Sequence, residues 1–153
     1  MIPRRTLIKA ALAGFLPAPL IACSENEVTR RAQFIVVSDA TLQDLSAQAW
    51  AEITRSVPRA SGQAAERLAA VGQRIASASG LSNVDWEFVA FDSPEVNAFV
   101  LPGGKVGFFR GLMDLTENDG ELAAVMGHEV GHVMARHAAE RVSQQMAVEL
   151  GVN

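Results

Sequence analysis

The sequence predicts an α+β domain, and three observations carry that prediction. Two amphipathic helical stretches come first, a block of short strands with a glycine-rich turn follows, and a helix bearing an H-E-x-x-H motif closes the order. The chain has 153 residues, 49% of them hydrophobic and 20% charged, which is ordinary for one globular domain.

The first residues differ in kind from the rest. Arg4, Arg5 and Lys9 precede an apolar stretch, Ala10 to Ala22, too short to span a bilayer and broken by Pro17 and Pro19. Residues 1–22 therefore read as an export signal. Arg4-Arg5-Thr6-Leu7-Ile8-Lys9 is similar to a twin-arginine signal, and Leu20-Ile21-Ala22-Cys23 is similar to the lipobox of bacterial lipoproteins. Cys23, the only cysteine, has no disulfide partner and is the expected lipidation site. Membrane attachment through its acyl chains is expected, on the periplasm-facing side of the bacterial envelope, and Ser24 favours the outer membrane. Removal of residues 1–22 leaves 10 Lys+Arg against 17 Asp+Glu, a net charge of −7. That charge argues against nucleic acid as a partner and repels anionic lipid, so attachment would rest on the acyl chains.

Residues 23–37 read as a tether followed by a strand: Ser24 to Arg31 is polar, and Phe34-Ile35-Val36-Val37 is an apolar run. The domain proper is expected over 38–153. Ser38 to Val57 is predicted helical, with Leu42, Leu45, Ala49 and Ile53 at core spacing and Thr41-x-x-Asp44 as a capping box. Pro58 to Gly62 breaks the pattern. A second helix is expected from Ala64 to Ala78, with Leu68, Val71 and Ile75 on one face and Gly80 placed to end it. From Val84 to Phe91 the period changes to two, predicting a half-buried strand with Val84, Trp86, Phe88 and Ala90 inward. Val96 to Leu101 and Val106 to Phe109 flank Pro102-Gly103-Gly104-Lys105 as the strands of a hairpin, giving a small antiparallel sheet.

Thr116-Glu117-Asn118-Asp119 reads as a capping box before the last helix, whose first turn also carries Glu121. Leu122, Val125, Met126, Val130, Val133 and Met134 make most of its sides apolar, as in a buried helix. Within it, Gly127-His128-Glu129-Val130-Gly131-His132 holds two of the three histidines of the chain. At about 100° per residue, His128 and His132 lie roughly 40° apart and one turn apart in height, so both imidazoles can reach one metal ion. Glu129 borders the same site. The pattern suits one zinc ion whose bound water a carboxylate deprotonates for attack on a peptide carbonyl. A core helix with merely hydrogen-bonded histidines is the alternative. Gly127 and Gly131 suggest close packing of another element against this helix.

Val96-Asn97-Ala98-Phe99-Val100-Leu101-Pro102-Gly103-Gly104-Lys105-Val106, Gly111-Leu112-Met113, and Glu121 through His132 with Arg136-His137 together resemble peptidase family 48 of the zinc metallopeptidases. These are the HtpX-like and CAAX-prenyl-protease-like enzymes, including exported bacterial members. The resemblance is strongest from Asn97 to His137 and weaker over Thr29 to Ser38. It implies a zincin-like fold of which this chain supplies the N-terminal part, with His128 and His132 as zinc ligands and Glu129 as general base. It also implies proteolysis of unfolded or misassembled envelope proteins as quality control.

The Asn97-Ala98-Phe99 strand, just before the metal helix, is either an edge that binds an extended substrate peptide or an ordinary hairpin strand. The family draws its third zinc ligand from a glutamate on a later helix, and up to Asn153 no such residue occurs. His137 lies about 180° around a continuing helix from His128, and Glu140 and Glu149 lie about 12 and 25 Å beyond His132 along it. Ala138 occupies the place of a metzincin third histidine. Tyrosine is absent, and no histidine follows His137, so no oxyanion donor of those types is present. The expectation is therefore that activity needs a longer polypeptide. A lipid-anchored chaperone or assembly adaptor of the same fold is the competing reading, and a purely structural lipid-anchored domain is a third.

Overall fold

A computed structural model describes residues 23–151. The export signal read over residues 1–22 lies outside the described residues. The elements are strands β1 (Cys23–Glu25) and β2 (Ala32–Phe34), helices α1 (Asp39–Ser56) and α2 (Gln63–Ala78), and strands β3 (Glu87–Phe91), β4 (Ala98–Leu101) and β5 (Lys105–Phe109). Helices α3 (Arg110–Leu115), α4 (Asp119–Met134) and α5 (His137–Glu149) follow.

The centre is a three-stranded sheet in the order β3-β5-β4. Pro102-Gly103-Gly104 closes the hairpin that sets β4 antiparallel to β5; Gly103 and Gly104 take φ of 85° and 83°, where a side chain would be strained. β3 lies on the other side of β5 and runs parallel to it, Glu87 opposite Lys105 through Phe91 opposite Phe109. The expected α+β class holds. The sheet, however, is mixed rather than wholly antiparallel, because alternation fixes which face a residue takes but not which neighbour a strand pairs with.

Strict alternation splits the side chains between two apolar layers. Phe88, Ala90, Ala98, Val100, Val106 and Phe108 face α2 and α4, where they meet Leu68, Val71, Leu122 and Met126. Val89, Phe91, Phe99 and Phe109 face α1 and meet Trp50, Ile53 and Val57. The strand around Phe88 was expected to be half-buried, yet Val89, Ala90 and Phe91 are all at most 4% exposed, because helices cover both faces. A Cβ at Gly107 would lie 2.3 Å from the Phe99 ring and 2.9 Å from that of Phe91, so only glycine lets this aromatic layer close over β5.

The free sides of the two outer strands differ. Beside β3, the segment Pro58 to Ala60 adds main-chain bonds: Ala60 N donates to Ala90 O (2.8 Å) and Asp92 N to Pro58 O (2.8 Å). Beside β4, no strand pairs among the described residues.

Several local readings change. Helix α1 is capped by Ser38, whose Oγ accepts from Thr41 N at 3.1 Å, and not by a box beginning at Thr41. Its inner face runs through Leu42, Ser46, Trp50 and Ile53, whereas Leu45 is 46% exposed and Ala49 is also exposed. Trp50 turns the helix: its ring packs edge-on to Phe91 and Phe99, and Nε1 donates to Glu87. In α4 the capping box begins at Asn118, whose Oδ1 accepts from Glu121 N at 3.0 Å while Glu121 accepts from Glu117 N at 2.8 Å. Thr116, expected in that box, is instead buried at the end of α3 and bonded to Met113 O and Arg67.

The polar segment expected as a tether is docked from Asn26 onward. β1 pairs antiparallel with β2. Asn26, 6% exposed, donates to Met134 O, and Gln33, 1% exposed, donates to Ala135 O at 2.7 Å. The Ser143 hydroxyl accepts from Val36 N (2.9 Å) and Val37 N (3.1 Å), and Arg31 pairs with Glu140. The apolar run 35–37 thus follows β2 without extending it, and the N–H groups of Val36 and Val37 are satisfied by Ser143 of α5 instead.

Candidate metal centre

Helix α4 positions the chemistry. Its N-terminus is fixed by Asn118 and by Arg67 of α2, which donates to Asp119 at 2.8 Å. Leu122 and Met126, fully buried, pack one stripe of it against the sheet and α2, and Val130, 2% exposed, is buried further along the helix. Rotation from that stripe brings out His128, Glu129 and His132. Their donor atoms lie within 4.8 Å of one another, and the two imidazole centroids are 4.5 Å apart. His128 is exposed, while Glu129 and His132 are half-buried.

The surroundings act on the titratable groups. Burial pushes the Glu129 carboxyl above the ordinary carboxylate range, an effect partly opposed by the charge of His128. Burial also lowers His132, helped by the like charges of His128, His137 and Arg141. A neutral His132 and a poorly solvated carboxylate are the states that a metal ligand and a proton acceptor require. Two imidazoles one turn apart beside a carboxylate form a donor set that fits Zn²⁺. Among the described residues no further acid joins them. Glu140, weighed as a ligand in the sequence, is held by Arg31 and Gln33.

A cavity of about 530 Å³ opens beside the group, lined by Glu129, His132, Val133 and His137 on one side and by β4 and the start of α1 on the other. Of the three residues expected to bind substrate, the structure brings Ala98 and Phe99 to this cavity and leaves Asn97 outside its lining. Asn97 O accepts from Phe109 N at 3.1 Å, and its side chain donates to Glu95. Bonded pairs alternate in an antiparallel ladder, so Phe99 and Leu101 also turn their main chain toward β5, while Ala98 and Val100 turn theirs to the open edge. The Phe99 ring sits in the aromatic layer under α1. The free groups of this edge therefore belong to Ala98 and Val100, and sequence reasoning missed Val100 because register parity depends on the partner strand.

His137 also lies elsewhere than expected. The last helix does not continue through it: α4 ends at Met134, Arg136 takes a left-handed conformation (φ 53°), and α5 begins at His137. This corner returns His137 to the site, with its Nδ1 2.8 Å from Nδ1 of His132. No glycine or proline marks the break, so no local signal could have shown it. Gly127 and Gly131 have open space where a Cβ would stand, so no described element packs there. Cys23 begins β1, its main chain opposite Phe34. Among the described residues, no helix is long and apolar enough to cross a membrane.

Comparison with known proteins agrees with this geometry. Residues 62–152 match the profile of peptidase family M48. The chain is 33% identical over 119 residues to the metalloprotease LoiP of Escherichia coli, covering 76% of this chain and 44% of that protein. It is 45% identical over 76 residues to the mitochondrial metalloendopeptidase OMA1 of Schizosaccharomyces pombe, covering 50% of this chain and 23% of that one. To the β-barrel assembly-enhancing protease of Escherichia coli it is 33% identical over 75 residues, 49% of this chain and 15% of the relative. The chain thus spans less than half the length of each of these relatives. The match covers both the sheet and the H-E-x-x-H helix, and on that ground the chain belongs to peptidase family M48.

Proposed function

We propose that the protein is a zinc-dependent endopeptidase of the bacterial envelope that hydrolyses unfolded or misassembled proteins. The observation that carries this reading is the junction of the His128-Glu129-His132 group with a cavity walled by the open edge of β4. An extended peptide laid against β4 can exchange main-chain bonds with Ala98 and Val100, which binds many sequences and suits unfolded substrates. His128 and His132 would hold one zinc ion. When bound, zinc supplies Lewis acidity, polarising the scissile carbonyl and lowering the pKa of a water molecule. Glu129 accepts the proton of that water and can return it to the leaving amine. Burial of Glu129 keeps its carboxylate poorly solvated and therefore a stronger base.

The envelope assignment rests on the signal-like residues 1–22 and on Cys23, and it accords with a relative named for β-barrel assembly. Mass spectrometry of the mature N-terminus is expected to show a chain beginning at a lipid-modified Cys23. An unmodified Cys23 would remove the lipid anchor from this account.

Cleavage of an unfolded protein such as reduced casein by the full-length protein tests the function. Turnover should vanish with a zinc chelator and return on adding zinc. Binding of casein with no cleavage in the presence of zinc would favour the competing reading, an assembly adaptor or chaperone that uses the same edge.

A further inference from the structure

We propose that His137 is a positioning residue for the metal centre: it accepts a hydrogen bond from Nδ1–H of His132 and so presents the His132 Nε2 lone pair to the metal. The inference rests on the reading of His132 as a zinc ligand. The two Nδ1 atoms are 2.8 Å apart, so one ring must donate and the other accept. If His132 donates, its Nε2 carries a lone pair; if it accepts, its Nε2 carries the proton and is closed to a metal. A metal ligand therefore requires His132 as donor, with the His137 proton on Nε2. Metal-bound histidines are held in this way by a partner on the second nitrogen, which fixes both tautomer and ring orientation.

His137 does not itself belong to the ligand group, since the donor atoms lying within 4.8 Å of one another are those of His128, Glu129 and His132. Its place is imposed from outside the site. The left-handed Arg136 turns the chain, the Arg136 side chain pairs with Asp39 at the start of α1, and Gln33 bonds the Ala135 carbonyl. The His137 ring is thereby brought to 5.0 Å, centroid to centroid, from that of His132. A histidine that merely filled space would not need its Nδ1 aimed at another Nδ1.

Three measurements on the full-length protein test this. In the metal-free wild type, ¹⁵N NMR should show His132 in the Nδ1–H tautomer and a coupling across the hydrogen bond to Nδ1 of His137. Zinc affinity, read by competition with a chelator, should fall about 10–100-fold in His137→Ala. His137→Asn places an amide oxygen near the lost Nδ1 and should recover most of that loss. His132→Ala is the reference, because its loss of zinc keeps the ligand reading intact. With that reference in hand, an unchanged affinity in His137→Ala, or a wild type lacking the coupling, would overturn the inference alone. So would X-ray absorption showing one nitrogen ligand fewer in His137→Asn, which would make His137 a ligand.

Discussion

Glu129→Gln in the full-length protein should retain zinc and lose about 10²–10⁴-fold in peptidase turnover, the range that a positioned general base contributes. Glutamine fills the same space but cannot take the proton of the attacking water. The variant should also fold at least as well as the wild type at neutral pH. Because the folded carboxyl has its pKa raised by burial, the folded state holds a proton between the ordinary carboxylate value and the raised one while the unfolded chain has lost it. Stability contributed by Glu129 is therefore present below the unfolded value and is lost as pH rises through the folded one. Glutamine carries no charge to desolvate and escapes that loss, so its melting temperature should vary less across this window. Wild-type turnover should fall at acid pH, where the base becomes protonated. Retained turnover with zinc bound would remove Glu129 from the base role.

Phe91→Ala should cost about 3–5 kcal/mol, the usual range for a buried phenylalanine, out of a total stability of about 5–15 kcal/mol. Phe91 is fully buried and touches Trp50, Phe99 and Phe109, so it joins α1, the open-edge strand and the sheet centre in one cluster. The cavity has β4 and α1 as two of its walls, so loosening this cluster should reduce activity as well as stability. Leu45→Ala is the contrast. Spacing alone places Leu45 in the core, but it is 46% exposed, and its loss should change stability by no more than about 0.5 kcal/mol. Urea denaturation of both variants decides, and comparable losses would mean that α1 is rotated from the face described.

The fate of Leu45 shows where the sequence is legible and where it is not. The 3.6-residue period located α1 to within one residue at each end, yet the face it buries is chosen by Trp50, whose ring packs on Phe91 and whose indole N–H finds Glu87. Periodicity sums over residues and does not weigh one large aromatic against two aliphatics. The hairpin was legible because Gly103 and Gly104 sit where the turn requires positive φ. The H-E-x-x-H helix was legible because residues at that fixed spacing share one side of a helix, and the donor atoms of His128, Glu129 and His132 do come within 4.8 Å of one another.

What remained hidden depends on partners distant in sequence. Which edge of the sheet is open follows from Pro58 to Ala60 covering β3, a contact with no local signature. The corner at Arg136 is held by Asp39 and by Gln33, each about a hundred residues away. The polar run Ser24 to Arg31 suggested a tether because its composition is that of a linker, but Asn26 within it, like Gln33 just beyond it, is spent on a carbonyl at the end of α4. A helix end whose last carbonyls need donors can recruit them from any segment the fold brings near.

Zinc content measured on the purified full-length protein and on a His128→Ala/His132→Ala variant tests the central claim most directly. The wild type should carry one zinc ion per chain and the double variant none, with both showing the same helical circular dichroism. Equal zinc in the two proteins would contradict the account, because the metal would then be held somewhere other than the one-turn histidine pair on α4.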